Sequence, residues 1–350
     1  LILANNGRNG HLQSIKERIN WDIKRLGNII SHWENKQISY TADEIISVFQ
    51  KAANEQTLFN FMNGITAQLR QMGKHRTSET YHATLRSFMQ FRENKDILLD
   101  EIDSDLMLMY EAWLRNRGLS KNSSSFYMRI LRAVYNRAVE KELTSNRNPF
   151  KHVYTGIDKT VKRAISLKAI KKIKNLDLSL QPALDFARDM FLFSFYTRGM
   201  SFIDMAHLKK KDQQNGILSY RRRKTGQQLL VKWEKCMQEI ADKHKTDYGS
   251  PYLLQILKHP YDNRSQYKNA LYRTNKNLKE VAKLADISIP LTLYVARHSW
   301  ASIAKSKNIP ISVISEGMGH DSEMTTQIYL ASLDNSVVDR ANTQILRDLL

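Results

Sequence analysis

Apolar residues recur at helical spacing through most of this chain, and alternate at strand spacing in one short stretch. Around 15–34 the positions Trp21, Ile23, Leu26, Ile29, Ile30 and Trp33 follow a helical period, and a second short helix is predicted near 42–53. Between 55 and 150 the pattern predicts a compact helical unit. Phe59, Phe61, Met62, Ile65 and Leu69 mark one face. Tyr81, Leu85, Phe88 and Phe91 mark a helix capped by Thr77 or Ser78. A third helix near 105–117 stops at Gly118. A fourth, long one starts at Ser120-Lys121-Asn122-Ser123 and carries Phe126, Leu131, Val134 and Ala138. Asn148-Pro149 closes the unit, because proline disfavours helix in the residue before it.

The mixed-polarity stretch 153–165 then reads as a linker. Beyond it, 182–196 is strongly apolar and helical, and 217–223 and 228–233 alternate like strands joined at Thr225-Gly226. Helices are predicted near 235–245, 266–285, 295–305, 311–317 and 324–331, with one more in the polar-to-apolar tail 337–350. The pattern therefore gives a mostly α chain: a connector (1–54), a helical unit (55–152), a linker (153–165), and a mixed α+β unit with a small antiparallel sheet (166–350).

Charge narrows the function. Among 350 residues, 54 are Lys or Arg against 35 Asp or Glu, a formal charge of +19. That excess points to a polyanion, with nucleic acid ahead of an anionic membrane. Basic and hydroxyl side chains gather at two helix starts, Arg76 and Thr77, then Lys121, Asn122 and Ser123, with Arg129 further along. Helix N-termini of this kind hold DNA phosphates. No run of eighteen apolar residues and no leader pattern occurs, so a cytoplasmic chain without a membrane span is expected. One cysteine, Cys236, reads as a packing residue. Metal-ligand spacings and a Gly-rich phosphate loop do not appear, so neither metal nor nucleotide cofactor is expected.

Candidate chemistry concentrates in Leu291–Leu330, where Tyr294, Arg297, His298, Gly319-His320 and Tyr329 fall within forty positions. Attack on a phosphodiester needs a nucleophile, cationic donors for the non-bridging oxygens, and an acid for the leaving oxygen. Arg297 offers a forked donor, His320 follows Met318-Gly319 at a predicted helix start, and Tyr329 comes nine residues later. Lys224 lies at the tip of the basic hairpin SYRRRKTGQ, and on strand parity Arg222 shares its face.

The motifs ARHSWAS, MGHDS and TTQIY, in this order and spacing, resemble the arginine-histidine box, the Gly-His box and the nucleophile box of the tyrosine recombinases, the family that includes phage-type integrases. The resemblance, closest to a divergent mobile-element branch, covers about 55–335. It implies a helical, SAM-like core-binding domain followed by a catalytic domain. It also implies site-specific cutting and rejoining of double-stranded DNA through a 3′-phosphotyrosyl intermediate, by a homotetramer, with an accessory DNA-bending protein. Residue by residue it gives Tyr329 as nucleophile, Arg297 and His320 as phosphate ligands and Lys224 as general acid. Tyr294 stands where many members have histidine. The first family arginine is displaced: in YTRGMSFIDMAHL its slot falls on Ser201, so Arg198 or Arg222 must serve, with Arg198 favoured. Two other readings are a non-catalytic DNA-binding protein and a type IB topoisomerase.

Overall fold

The computed structural model describes residues 16, 19–20, 22–23, 26–54, 57–158, 163–245, 249–257, 263–330 and 342–347; the side chains of 50–54, 263, 328 and 329 are outside the description. Two compact units divide the chain, Leu1–Lys159 and Thr160–Leu350.

In the first unit, residues 26–35 form α1 and Ala42–Asn54 forms α2, whose N-cap Thr41 and Glu44 close a capping box. Four helices build the core: α3 (Leu58–Gln71), α4 (His75–Phe91), α5 (Ser104–Asn116) and α6 (Lys121–Glu140). Their inward faces follow the helical period. Leu58, Met62, Leu85, Phe88, Tyr110, Leu114, Leu131 and Val134 are almost fully buried. Asp103 caps α5 and Ser120 caps α6 through their side-chain oxygens. The start of α4 departs from expectation. Thr77 and Ser78 lie inside the helix rather than at its cap, because Ser78 is buried and donates to the Thr66 carbonyl at 3.0 Å, joining α4 to α3.

The supposed linker also begins later than its polarity suggests. Residues 153–158 are bound along the helical unit. Asn122 grips the backbone of Asp158 through both amide atoms, at 2.9 and 2.7 Å. Ser125 donates to Gly156, Arg132 to Thr155, and Glu111 accepts from the Tyr154 N–H. Polar residues here are used for strapping, which hydrophobic pattern alone does not reveal. Lys159 and Lys162 lie outside the described residues.

The second unit contains α7 (Leu167–Lys174), α8 (Pro182–Tyr196), α9 (Phe202–Ala206), α10 (Lys235–Lys243), α11 (Asn263–Leu284), α12 (Leu293–Ser306), α13 (Ile311–Met318) and α14 (Glu323–Leu330). A three-stranded antiparallel sheet comprises β1 (Gln213–Gln214), β2 (Ile217–Arg221) and β3 (Gln228–Lys232), in that order. Tyr220 faces Leu229 and Leu218 faces Val231 in the register, and all four are buried. α8 is apolar nearly all round because it is central: α10, α11 and α12 pack on it. The middle of α8 is tied by ions. Asp189 meets Arg188, Lys243 and His244 at 2.8–2.9 Å. Burial pushes its carboxyl up, but these hydrogen bonds outweigh burial and hold it at about 2. Cys236 packs partly buried against the same core, and burial raises its thiol pKa. Two short helices lie outside the predicted set; α7 buries Ile170 and Ile173 on one face, and α9 buries Phe202 and Met205. Residues 342–347 are helical within the predicted tail; Val337 and Leu350 lie outside the described residues.

Candidate active site

Arg297 is buried, at 4 % exposure, because α12 is an interior helix whose small residues Ala296, Ala301 and Ala304 are buried with it. Its guanidinium donates to the Gly199 carbonyl at 2.6 Å, to the Met318 carbonyl at 2.7 Å and to His320 Nε2 at 3.0 Å. These three partners are uncharged. Two glycines make the arrangement sterically feasible. Gly199 sits at φ +78°, and a Cβ there would lie 2.7 Å from Arg297 Cγ and 2.8 Å from its Cα. Gly319, at φ +64°, ends α13 in the left-handed region. The Gly319 N–H donates to Glu316 and the His320 N–H to Ser315, a Schellman closure. His320 therefore leaves a helix end rather than starting a helix, as its sequence neighbours suggest.

An arginine nitrogen can only donate, so His320 Nε2 accepts from Arg297 and the neutral ring carries its proton on Nδ1. Nδ1 stands 2.7 Å from the hydroxyl of Thr326, a fully buried residue of α14. Burial, then the positive charges of Arg297, Arg222 and Lys224, push the His320 pKa down to about 4. Thr326 is thus a residue that sequence reading passed over; its signal was only its place in TTQIY.

Arg222 reaches the same place from the hairpin. It is 7 % exposed and donates to the Gly319 carbonyl. A Cβ on Gly319 would meet Arg222 Cδ at 3.2 Å and Leu229 Cδ1 at 3.0 Å. Among the described residues no carboxylate lies within ion-pair distance of Arg222, so this is a buried cation without a counter-anion. Lys224 is exposed at the turn, within electrostatic reach of His320. The expected strand parity of Arg222 and Lys224 does not hold. β2 ends at Arg221, and the turn, closed by Gly226 N–H to Arg222 and by Arg222 N–H to Gln227, buries one cation and exposes the other.

Asp204 secures that turn. It is 4 % exposed and accepts from Ser201 Oγ at 2.5 Å and from the Arg223 N–H at 2.9 Å. Ser201, in the expected arginine slot, therefore serves the acid. Arg198 adopts φ +61°, unusual for a side chain of its size, and its Cδ runs 3.6 Å from where a Gly317 Cβ would stand. Tyr294 is 59 % exposed, its ring edge-on to the buried His298 with centroids 4.6 Å apart. Tyr329 lies on α14, three residues after Thr326; its side chain is outside the description. The site groups brought together are thus Arg297, His320, Arg222 and, at the rim, Lys224.

The remaining predicted contacts lie in the first unit. Arg76 is exposed 3.8 Å from Glu79, and Thr77 and Ser123 are exposed. Lys121 lies over the Tyr154 ring, 4.3 Å from its centroid. Arg129 is half-buried, its Nε without a partner among the described residues. Asn122 is occupied with Asp158, as described.

Residues 57–172 match a family described as the phage integrase SAM-like domain, and 188–336 match the phage integrase family. The chain is 27 % identical over 246 residues to the tyrosine recombinase XerA of Pyrococcus furiosus, covering 67 % of this chain and 79 % of that one. To the tyrosine recombinase XerD of Halalkalibacterium halodurans it is 23 % identical over 261 residues, covering 72 % and 86 %. Its fold is similar to a lambda integrase dimer bound to a COC′ core site, at TM-score 0.61 and 16 % identity, covering 78 % and 95 % of the two chains. The Tn1549 transposon integrase in complex with a circular intermediate DNA gives TM-score 0.57 at 14 % identity, covering 83 % and 99 %.

Proposed function

Since this chain belongs to the phage integrase family of tyrosine recombinases, we propose that it cuts and rejoins duplex DNA with Tyr329 as nucleophile and a phosphate pocket formed by Arg297, Arg222 and His320. It is a site-specific recombinase, an enzyme of DNA strand breakage and rejoining. The observation that carries the residue assignment is the convergence of two buried guanidiniums, from α12 and from the hairpin, on the Gly319-His320 turn. Arg222, a buried cation without a counter-ion among the described residues, is costly, and a phosphodiester anion offsets that cost.

In this reading the incoming phosphate takes over donors of Arg297 and Arg222. The Tyr329 oxygen attacks phosphorus as its phenol proton passes to solvent, the bond to the 5′ oxygen breaks, and Lys224 supplies the proton to that leaving oxygen. The product is a 3′-phosphotyrosine and a free 5′-hydroxyl; attack by a 5′-hydroxyl from a partner duplex reverses the step. The diester's energy stays in the covalent link. The phosphate's negative charge opposes the field that keeps His320 neutral, so His320 gains basicity when DNA is bound. Arg222 is assigned to the first-arginine role over Arg198 on its burial and its bond to Gly319. Tyr294, exposed and turned to His298, assists at most as a donor at the rim. Arg76, Thr77, Lys121, Ser123 and Arg129 contact the DNA backbone through the helical unit. Assembly as a tetramer on paired duplexes and recruitment of a DNA-bending protein belong to the same proposal; a lambda integrase tetramer bound to a Holliday junction is among the structures of similar fold.

The test is covalent capture. A pool of duplexes with randomised cores, each nicked so that cleavage strands its end, is incubated with protein. Wild type should form an SDS-stable adduct that Tyr329→Phe lacks while still binding DNA. An unchanged adduct in Tyr329→Phe removes that tyrosine from the mechanism, and no adduct from wild type removes the residue assignment altogether.

A further inference from the structure

Tyr220 is a buried polar group that the mechanism above does not use. It stands on β2 two residues after Leu218, and alternation along the strand turns both inward. Its cross-strand partner is Leu229, the residue whose methyl crowds Gly319 beside His320. Two residues on, Arg222 enters the phosphate pocket, and three residues on, the Arg223 N–H is held by Asp204. Tyr220 is 7 % exposed, and among the described residues its hydroxyl has no hydrogen-bond partner, yet it is not one of the fully buried polar atoms, so an incoming group can still reach it. The groups within electrostatic reach of the phenol are Asp204, Arg297, Arg222 and Arg198. Four charged side chains, three of them cationic, thus act electrostatically on this phenol.

We propose that Tyr220 is a further catalytic residue, whose hydroxyl donates a hydrogen bond to a non-bridging oxygen of the scissile phosphate held by Arg222 and Arg297. The inference rests on the phosphate pocket proposed above. The phenol suits this task as a neutral donor. Burial, then the Asp204 carboxylate, raise its pKa, outweighing the three arginines, so it keeps its proton at working pH. A neutral donor preorganised in a buried site stabilises charge on the phosphoryl oxygens without reorganisation during the reaction.

Tyr220→Phe deletes the hydroxyl and keeps the ring that packs on Leu229. On a nicked duplex obtained from the wild-type capture, single-turnover cleavage should fall about ten- to hundredfold, with DNA affinity and thermal midpoint unchanged. The readout that separates contact from mere packing uses the two phosphorothioate diastereomers at the scissile phosphate, because sulfur accepts hydrogen bonds poorly. The Tyr220→Phe penalty should shrink on one diastereomer and persist on the other. Equal penalties on both overturn the phosphate contact, as does wild-type cleavage by Tyr220→Phe on the all-oxygen substrate. Cleavage by wild type with no deficit in Tyr220→Phe sinks this inference alone. A wild-type protein that captures no duplex sinks the pocket and the inference together.

Discussion

Arg297 and Arg222 are two buried cations set beside a neutral imidazole, His320. Burial first, then the two guanidiniums and Lys224, hold the imidazole neutral, with its pKa down at about 4. The sign of the resulting pH dependence follows from linkage. Between pH 6.5 and about 4 the unfolded chain protonates His320 and the folded chain does not, so the free protein loses stability as pH falls through that window. His320→Gln should show a shallower decline there in denaturant titrations; an identical slope would locate the acid sensitivity elsewhere. Arg222→Ala should lower single-turnover cleavage by roughly 10²–10³ with DNA binding largely kept, as expected for loss of a preorganised donor. Arg198→Ala should cost less. The reverse order would return the first-arginine role to Arg198.

At the scale of elements, the site depends on turns that set helix ends and a hairpin tip against each other. Gly199 combines a left-handed backbone with no room for a Cβ against Arg297, so Gly199→Ala should cost about 2–4 kcal/mol of unfolding free energy, the sum of backbone strain and overpacking. Gly118 has φ +76° but open space, so Gly118→Ala should cost only the backbone part, about 1–2 kcal/mol. Equal losses in urea melts would show that contact with Arg297 carries no weight. Asp204→Ala leaves the Arg223 N–H and the Ser201 hydroxyl without their acceptor. It should destabilise by about 1–3 kcal/mol and slow cleavage further, since the turn that carries Arg222 and Lys224 loosens. Ser201→Ala, which keeps the carboxylate on Arg223, should be milder.

The whole molecule couples a helical unit to a second unit that holds the candidate site, on a chain of net charge +19. If roughly six to ten phosphates are neutralised on binding, affinity should fall by at least about 10³ between 50 and 200 mM salt. A flat salt response in filter or fluorescence titrations would contradict the backbone contacts assigned to the first unit. Among the described residues no cluster of His, Cys, Asp or Glu is arranged to hold a metal ion, and no helix is long and apolar enough to cross a membrane. Because the proposed transfer keeps the diester's energy in a tyrosyl ester, adduct formation should be unchanged by EDTA and by omission of nucleotide.

The sequence by itself determined the mostly helical fold, since core residues such as Phe88, Leu131 and Phe191 repeat at the helical period. It also determined the family, since ARHSWAS, MGHDS and TTQIY are local strings whose order survives without coordinates. It determined candidates for chemistry as residue types at fixed spacings. Tertiary structure decided which cations meet. Ser201 and Arg198 lie nearest the expected slot along the chain, but a guanidinium reaches about 6–7 Å from its backbone and can enter a pocket from another element. Arg222 and Gly319 are bonded across ninety-seven positions, a pairing no local pattern encodes. The same holds for Arg297 on Gly199 and for Asp204 on the hairpin turn. Each is set by how α8–α9, the hairpin and α12–α14 pack, a property of the folded second unit rather than of any one segment.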